Sequence, residues 1–296
     1  MTLLAILIAL FATRQAVVPE YFRELRWSGR YIAMSERVLF RDIFHPAVCY
    51  GFFVVPLVAI CWFVGTYQTA WFYDAVDFAI SIVLLVSIIG DRQLESAMQP
   101  FLKRWQAQEW QAAYVYGEKL FRYNKIASPS DMLSQTITLF LLRLNQVLFS
   151  PIFWYVIFGS AGLMMYLLTS IAALPPAARD GIQVESESWR KIAQEFLQAL
   201  DGIPARFVAL SIALLCLNRK AFVVAFRRYR ATDREAEIVL KLATASGLGF
   251  SDLPSDQELL ASEGSARVHS VQDLKGNVLI FWVISIALLS LFGLAW

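Results

Sequence analysis

Residues 141–174, LLRLNQVLFSPIFWYVIFGSAGLMMYLLTSIAAL, hold no charged side chain from Pro151 onward. A helix crosses the hydrocarbon core of a bilayer with about 20 apolar residues, so this stretch reads as a membrane span over 151–174. Arg143 and Asn145 stand just ahead of it. A polar pair at the mouth of a membrane segment is costly unless it faces protein, water or headgroups. A second charged entrance leads into 200–217, LDGIPARFVALSIALLCL, where Asp201, Pro204 and Arg206 precede another apolar run. These two entrances mark a candidate site without revealing its chemistry. Their bland alternative is a set of helix-end residues reaching back to the headgroups.

The rest of the chain agrees with a bilayer as its solvent. Hydrophobic residues make up 58% and charged residues 17%, where a soluble domain has about 45–50% and about 25%. Mean hydropathy is +0.53. The expectation is an all-α fold: one polytopic helical membrane domain over 1–296, with about four to six membrane helices and cytoplasmic helical loops. Expected spans cover 46–67, 71–90, 151–174 and 277–296. The short run 205–217 is read as either a span or a re-entrant helix. The apolar start, 2–12, has no basic residues ahead of it and no cleavage site after it, so it reads as a membrane-anchoring helix that either spans or lies in the interface.

Between these runs the chain is polar and basic. Segment 14–42 interleaves arginines with Tyr21, Phe22, Trp27 and Tyr31, a pattern suited to anionic headgroups rather than to nucleic acid. Segment 91–131 has a helical pattern in which Trp105, Trp110, Ala113 and Tyr114 form either an apolar face or an interfacial belt. Ser128-Pro129-Ser130-Asp131 ends one helix and caps the next. Segment 132–174 is too long for one straight span, and a break is expected at Ser150-Pro151. Residues 186–200 read as a separate helix, with Trp189, Ile192, Phe196, Leu197 and Leu200 on one face. Residues 248–273, rich in Ser, Asp and Gly, read as a flexible loop, and Gly247-Leu248-Gly249 as a turn or cap. Counting Lys and Arg by the positive-inside rule makes 14–42, 91–131 and 219–275 cytoplasmic. The acidic turn at 68–77 then faces outward.

Catalytic and metal chemistry has little to stand on. The three cysteines, Cys49, Cys61 and Cys216, are embedded in apolar sequence with no metal-ligand spacing, and the two histidines, His45 and His269, are far apart. No zinc site or His-dependent triad is expected. No nucleotide-binding glycine loop is present, and no cofactor is expected. Asp74 and Asp77, three apart, read first as solvated loop acids and second as a paired carboxylate site. Gly159-Ser160-Ala161-Gly162 reads as a run of small residues that lets helices approach closely. Phe153-Trp154-Tyr155 reads as a packing element more readily than as a binding box.

Two of these segments resemble a family. Residues 150–155, SPIFWY, are similar to the APLFWY-type signature of AmpE and of the CobD/CbiB proteins of cobalamin synthesis. Residues 199–217 resemble the segment of those proteins in which a Leu-Asp/Asn pair precedes Ile-Pro and an Arg. The layout of apolar runs resembles the family over nearly the whole chain. The enzyme branch carries a DP…PHPV…G signature and an SPNAG-type segment; here only His45-Pro46-Ala47-Val48 echoes the first, and YRATDREAEIVLKL at 229–242 replaces the second. An acidic element ahead of the FWY signature is replaced by 138–145, TLFLLRLN, which keeps only Asn145.

The resemblance is therefore closer to the AmpE branch. It implies a bacterial inner-membrane protein without catalytic activity of its own, linked to AmpD-type cell-wall recycling and β-lactamase induction, whose partners are the bilayer and components of that pathway. Arg143, Asn145, Trp154, Tyr155, Asp201, Pro204 and Arg206 are its candidate ligand- or partner-binding residues. The alternative it implies is a diverged cobinamide-phosphate synthase, in which Asn145, Asp201 and Arg206 would contact substrate. A transporter is the third reading, from buried polar residues between spans.

Overall fold

A computed structural model describes residues 2–15, 31, 45–66, 71–123, 126–173, 187–226, 235–250 and 257–292. Most of the arginine-rich segment 14–42, residues 177–186, and residues 227–234 of the basic tract lie outside these ranges. Every regular element among the described residues is a helix: α1 (Thr2–Arg14), α2 (Pro46–Thr66), α3 (Trp71–Ile88), α4 (Asp91–Gln106), α5 (Trp110–Phe121), α6 (Pro129–Leu144), a π-helical turn (Asn145–Phe149), α7 (Ser150–Ala173), α8 (Glu187–Leu215), α9 (Arg219–Phe226), α10 (Glu235–Gly247) and α11 (Gln257–Leu291). The fold is all-α, as expected. Among the described residues, four helical stretches are long and apolar enough to cross a membrane: Ala47–Thr66, a part of Pro129–Ala173, Arg190–Leu215 and Glu258–Leu291. The chain is a membrane protein. At 13 residues, α1 is about 20 Å long, short of the hydrocarbon thickness.

The chain forms two compact units. One comprises Met1–Gly90, Ser150–Asp201 and Ile286–Trp296, the other Asp91–Phe149 and Gly202–Ser285. In the first, α7 packs along α2 and α3, and α1 lies against α3 and α7. This bed is greasy on both sides of each contact, so its few polar links fix the register. Tyr50 of α2 and Thr169 of α7 share a buried hydrogen bond of 2.7 Å.

In the second unit, α4 and α5 pack on each other and on α6, and α10 packs on α6 and α9. Trp105 is fully buried, stacks edge-on against Trp110 with ring centroids 4.8 Å apart, and shares the core with Ala113, whereas Tyr114 is exposed. The two tryptophans and Ala113 therefore form an apolar face. Lys275 of α11 pairs with Glu95 of α4, and the Trp282 indole N–H donates to Ser211 Oγ of α8 at 2.9 Å. Burial pushes the Tyr123 phenol up to about 12, against the lowering effect of its hydrogen bond with Thr136. The capping reading of Ser128 holds: its Oγ accepts from the Asp131 N–H at 3.2 Å, with Pro129 opening α6. Gly249, at φ +66°, likewise closes α10 with the Phe250 N–H donating back to the Ala245 carbonyl, the left-handed ending that glycine favours.

Three expectations are corrected. The helix does not break at Ser150-Pro151. The turn before it, Asn145–Phe149, widens into a π-helix, which absorbs the proline's missing N–H and its clash with the preceding turn. The interruption comes instead at Gly159, with φ +61° and ψ −150°, a backbone state essentially reserved for glycine.

Nor do 186–200 and 205–217 form separate helices. They are one helix, α8, of 29 residues with Pro204 inside it, and Arg190–Leu215 is of spanning length.

Finally, residues 257–273 are not a loop but the first half of α11. Leu260, Ala261, Val268 and Val271 are buried at helical spacing. Gly264 among them lets Trp105 approach so closely that a Cβ there would lie 2.5 Å from its Nε1.

Candidate functional site

In the first unit, SPIFWY meets the 199–201 end of the other signature segment. Asp201, on α8, is 2% exposed. Its Oδ1 accepts the Ser150 hydroxyl at 2.9 Å and the Tyr166 hydroxyl at 2.8 Å. One turn along α7 from Ser150, the Trp154 indole N–H donates to the Leu200 carbonyl at 3.1 Å. That bond has a local cause. Pro204 has no N–H, so the Leu200 carbonyl four residues earlier loses its helical donor. An unpaired carbonyl in a dry interior costs about 1–3 kcal/mol, and the indole supplies the missing donor. The serine and tryptophan of SPIFWY thus address the Leu-Asp pair of the other segment, and Pro204 creates the acceptor that Trp154 fills.

Of the seven candidate residues, the structure brings Trp154 to the backbone beside Asp201, and places Tyr155 next to Trp154 on α7, buried and lining a cavity. Arg143, Asn145, Pro204 and Arg206 belong to the other compact unit. There Asn145 is buried at the start of the π-turn, while Arg143 is exposed and donates to Gln146 at 3.4 Å. Ser150 and Tyr166 join the Asp201 cluster although neither was singled out as a site residue.

In the same unit, α1, α2, α3 and α7 line a cavity of about 500 Å³, within the roughly 300–1,000 Å³ usual for small-molecule sites. Its wall is largely apolar, with Trp62 of α2, Phe78 of α3, and Phe158 and Met165 of α7. Its polar corner is made by Asp74 and Asp77, both in the first two turns of α3 and half-buried. They are helix residues facing a cavity, which corrects their reading as loop acids. Asp77 Oδ1 accepts the Ser160 hydroxyl at 2.5 Å, and Gly65 of α2 sits against that pair, where a Cβ would lie 3.5 Å from the same oxygen.

The geometry of α7 explains why the cavity exists. At Gly159 the helix turns so sharply that Gly162 abuts the Trp154 carbonyl, eight residues back: a Cβ on Gly162 would lie 2.4 Å from that oxygen. In a straight helix, residues eight apart are about 12 Å apart along the axis. The small-residue run therefore brings two halves of one helix together. A break of this kind frees backbone groups, and at membrane depth irregular backbone is tolerated where it is buried in protein or lines a cavity. Gly159, Ser160, Ala161 and Gly162 all line this one. Chemically, the corner suits a cationic or hydrogen-bond-donating group on an otherwise apolar ligand. Among the described residues no group of three or more His, Cys, Asp or Glu side chains is placed to hold a metal ion.

The family model of the regulatory signalling modulator protein AmpE matches residues 1–293. The chain belongs to the AmpE family. No curated protein and no solved structure matches it. In this AmpE-family chain, the SPIFWY and Leu-Asp segments that prompted the resemblance are the two sides of the Asp201 cluster.

Proposed function

We propose that this AmpE-family protein is a multi-pass inner-membrane signalling protein that links cell-wall recycling to β-lactamase induction, and that it takes its signal in the cavity beside Gly159. The family supports a regulatory signalling role. The observation that carries the site is the interrupted span α7, whose Ser160 is held by Asp77 on the wall of an apolar cavity. An interrupted helix can rearrange locally at its break, and a ligand bound there has differential contacts with those arrangements, which is the requirement for switching. The Asp201 cluster holds α7 on both sides of the break, through Ser150 before it and Tyr166 after it, so movement would be confined to the segment around Gly159 and Ser160.

The test is genetic. A strain lacking the chain is challenged with a β-lactam and its β-lactamase activity measured, with complementation by wild type and by Asp77→Asn at matched membrane abundance. Deletion is expected to change induction, wild type to restore it, and Asp77→Asn to fail. Unchanged induction on deletion overturns the signalling role. Rescue of a cobinamide-phosphate synthase knockout by this chain would instead assign it to the amide-forming branch.

A further inference from the structure

The second compact unit holds a different cavity, of about 220 Å³, between α6, α10 and α11. It is too small for a drug-sized molecule; Leu133, Ile137, Leu141, Ala245 and Phe250 give it apolar walls, and its polar lining consists of hydroxyls and cations. Helix α6 supplies Ser134 and Thr138, α10 supplies Lys241 and Thr244 one turn apart, and α11 supplies Arg267. Among the described residues no carboxylate lines it. Arg267 is positioned from two sides: its guanidinium lies 5.0 Å from the Phe250 ring centre and 3.5 Å from a Glu263 carboxylate oxygen.

Thr244 is the informative residue. It is 1% exposed, and its Oγ1 has no hydrogen-bond partner among the described residues. A helical threonine ordinarily satisfies itself by donating to the carbonyl four residues back. Thr136 and Thr138 on the facing helix do so, each at 2.7 Å. Thr244 does not, and its side chain lines the cavity. An unsatisfied buried hydroxyl is destabilising, and a ligand acceptor arriving in the cavity would remove that cost.

We propose that this cavity binds a phosphate group, with Lys241 and Arg267 neutralising its charge and the Thr244 hydroxyl donating to one of its oxygens. Two cations of different shape, a directed hydroxyl and a small volume suit a compact tetrahedral oxyanion. The phosphate could be carried by a small soluble ester or by a lipid headgroup; the chemistry at the site is the same.

The experiment uses the full-length purified protein and reads thermal unfolding. One arm titrates glycerol phosphate in detergent. The other compares nanodiscs of phosphatidylcholine with and without phosphatidic acid. A rise in Tm in the first arm assigns a soluble phosphate ester, and a rise only in the second assigns a headgroup; no rise in either overturns the proposal. Lys241→Gln is expected to weaken binding about tenfold, as loss of a hydrogen bond to a charged group does. Thr244→Val is nearly isosteric and gives the sharper test. It should raise the Tm of the ligand-free protein by removing the unpaired hydroxyl, and weaken phosphate binding by about fivefold. Binding by Thr244→Val equal to wild type overturns the role of Thr244.

Discussion

Asp201 and Asp77 each accept a serine hydroxyl from α7, Ser150 for the first and Ser160 for the second, yet their surroundings differ. Asp201 is sealed, and Tyr166 donates to the same oxygen. Asp77 is half-buried at the wall of a cavity. Between the two serines lies the only part of α7 that departs from helical geometry. A carboxylate locked by converging donors in a dry interior holds two helices in register, because removing it strands every donor aimed at it. A carboxylate at a cavity wall keeps room for a ligand. The more conspicuous motif thus belongs to the sealed cluster, which holds α7 on both sides of Gly159, and the cavity was marked only by two acids three residues apart and a run of small residues.

The largest effect is expected at the sealed end. Asp201→Ala should leave the Ser150 and Tyr166 hydroxyls without this acceptor, at about 1–3 kcal/mol each, so a loss of about 2–6 kcal/mol is expected in thermal or denaturant unfolding of the purified protein. A loss under about 1 kcal/mol would mean that the cluster is not a lock. Gly162→Ala follows. Its new Cβ would meet the Trp154 carbonyl at 2.4 Å, a backbone atom that cannot rotate away. Overpacking of that kind costs about 1–3 kcal/mol, and the same unfolding measurement reads it. If the variant is as stable as wild type, the two halves of α7 do not approach in this way.

A smaller and more diagnostic effect concerns the indole bond. Trp154→Phe removes the donor to Leu200, and about 1–2 kcal/mol of destabilisation is expected from the bare carbonyl in addition to any packing loss. In that background Pro204→Ala restores a main-chain N–H four residues after Leu200, which can close the helical bond. The double variant should therefore be more stable than Trp154→Phe alone, a coupling that a double-mutant cycle measures directly. Simple additivity would break the link between Pro204 and Trp154.

That pair also shows what a local reading can and cannot see. Apolar runs, the Ser128 cap and the Gly249 ending were legible because each depends on neighbours in the chain. The positions of Pro151 and Pro204 were legible as well, but their consequences were not. Each proline leaves a misfit, and whether the helix ends depends on a remedy supplied elsewhere: the π-turn at Asn145–Phe149 for one, an indole 46 residues from the Leu200 carbonyl for the other. The start of α11 was hidden differently. Its serines and acids suggested a loop, while Leu260, Ala261, Val268 and Val271 kept helical spacing. At the candidate site, the two signatures were readable as motifs. That Ser150 and Asp201 touch is a tertiary fact, as is the placement of Asp77 against Ser160.

The smallest change in stability, and the sharpest separation of the two aspartates, is expected from Asp77→Asn. The asparagine carbonyl can still accept the Ser160 hydroxyl, and the side chain keeps its volume, so unfolding should shift by less than about 1 kcal/mol. What the substitution removes is the negative charge that the cavity offers a cationic group. If the cavity receives the signal, Asp77→Asn should respond to β-lactam challenge like the deletion while remaining folded and membrane-embedded. Asp201→Asn at matched abundance provides the contrast, since it too keeps an acceptor and volume but lies away from the cavity wall, and it should signal in proportion to the folded protein present. Equal signalling by the two variants, per folded molecule, would place both carboxylates in the scaffold and leave the interrupted helix without a sensing role.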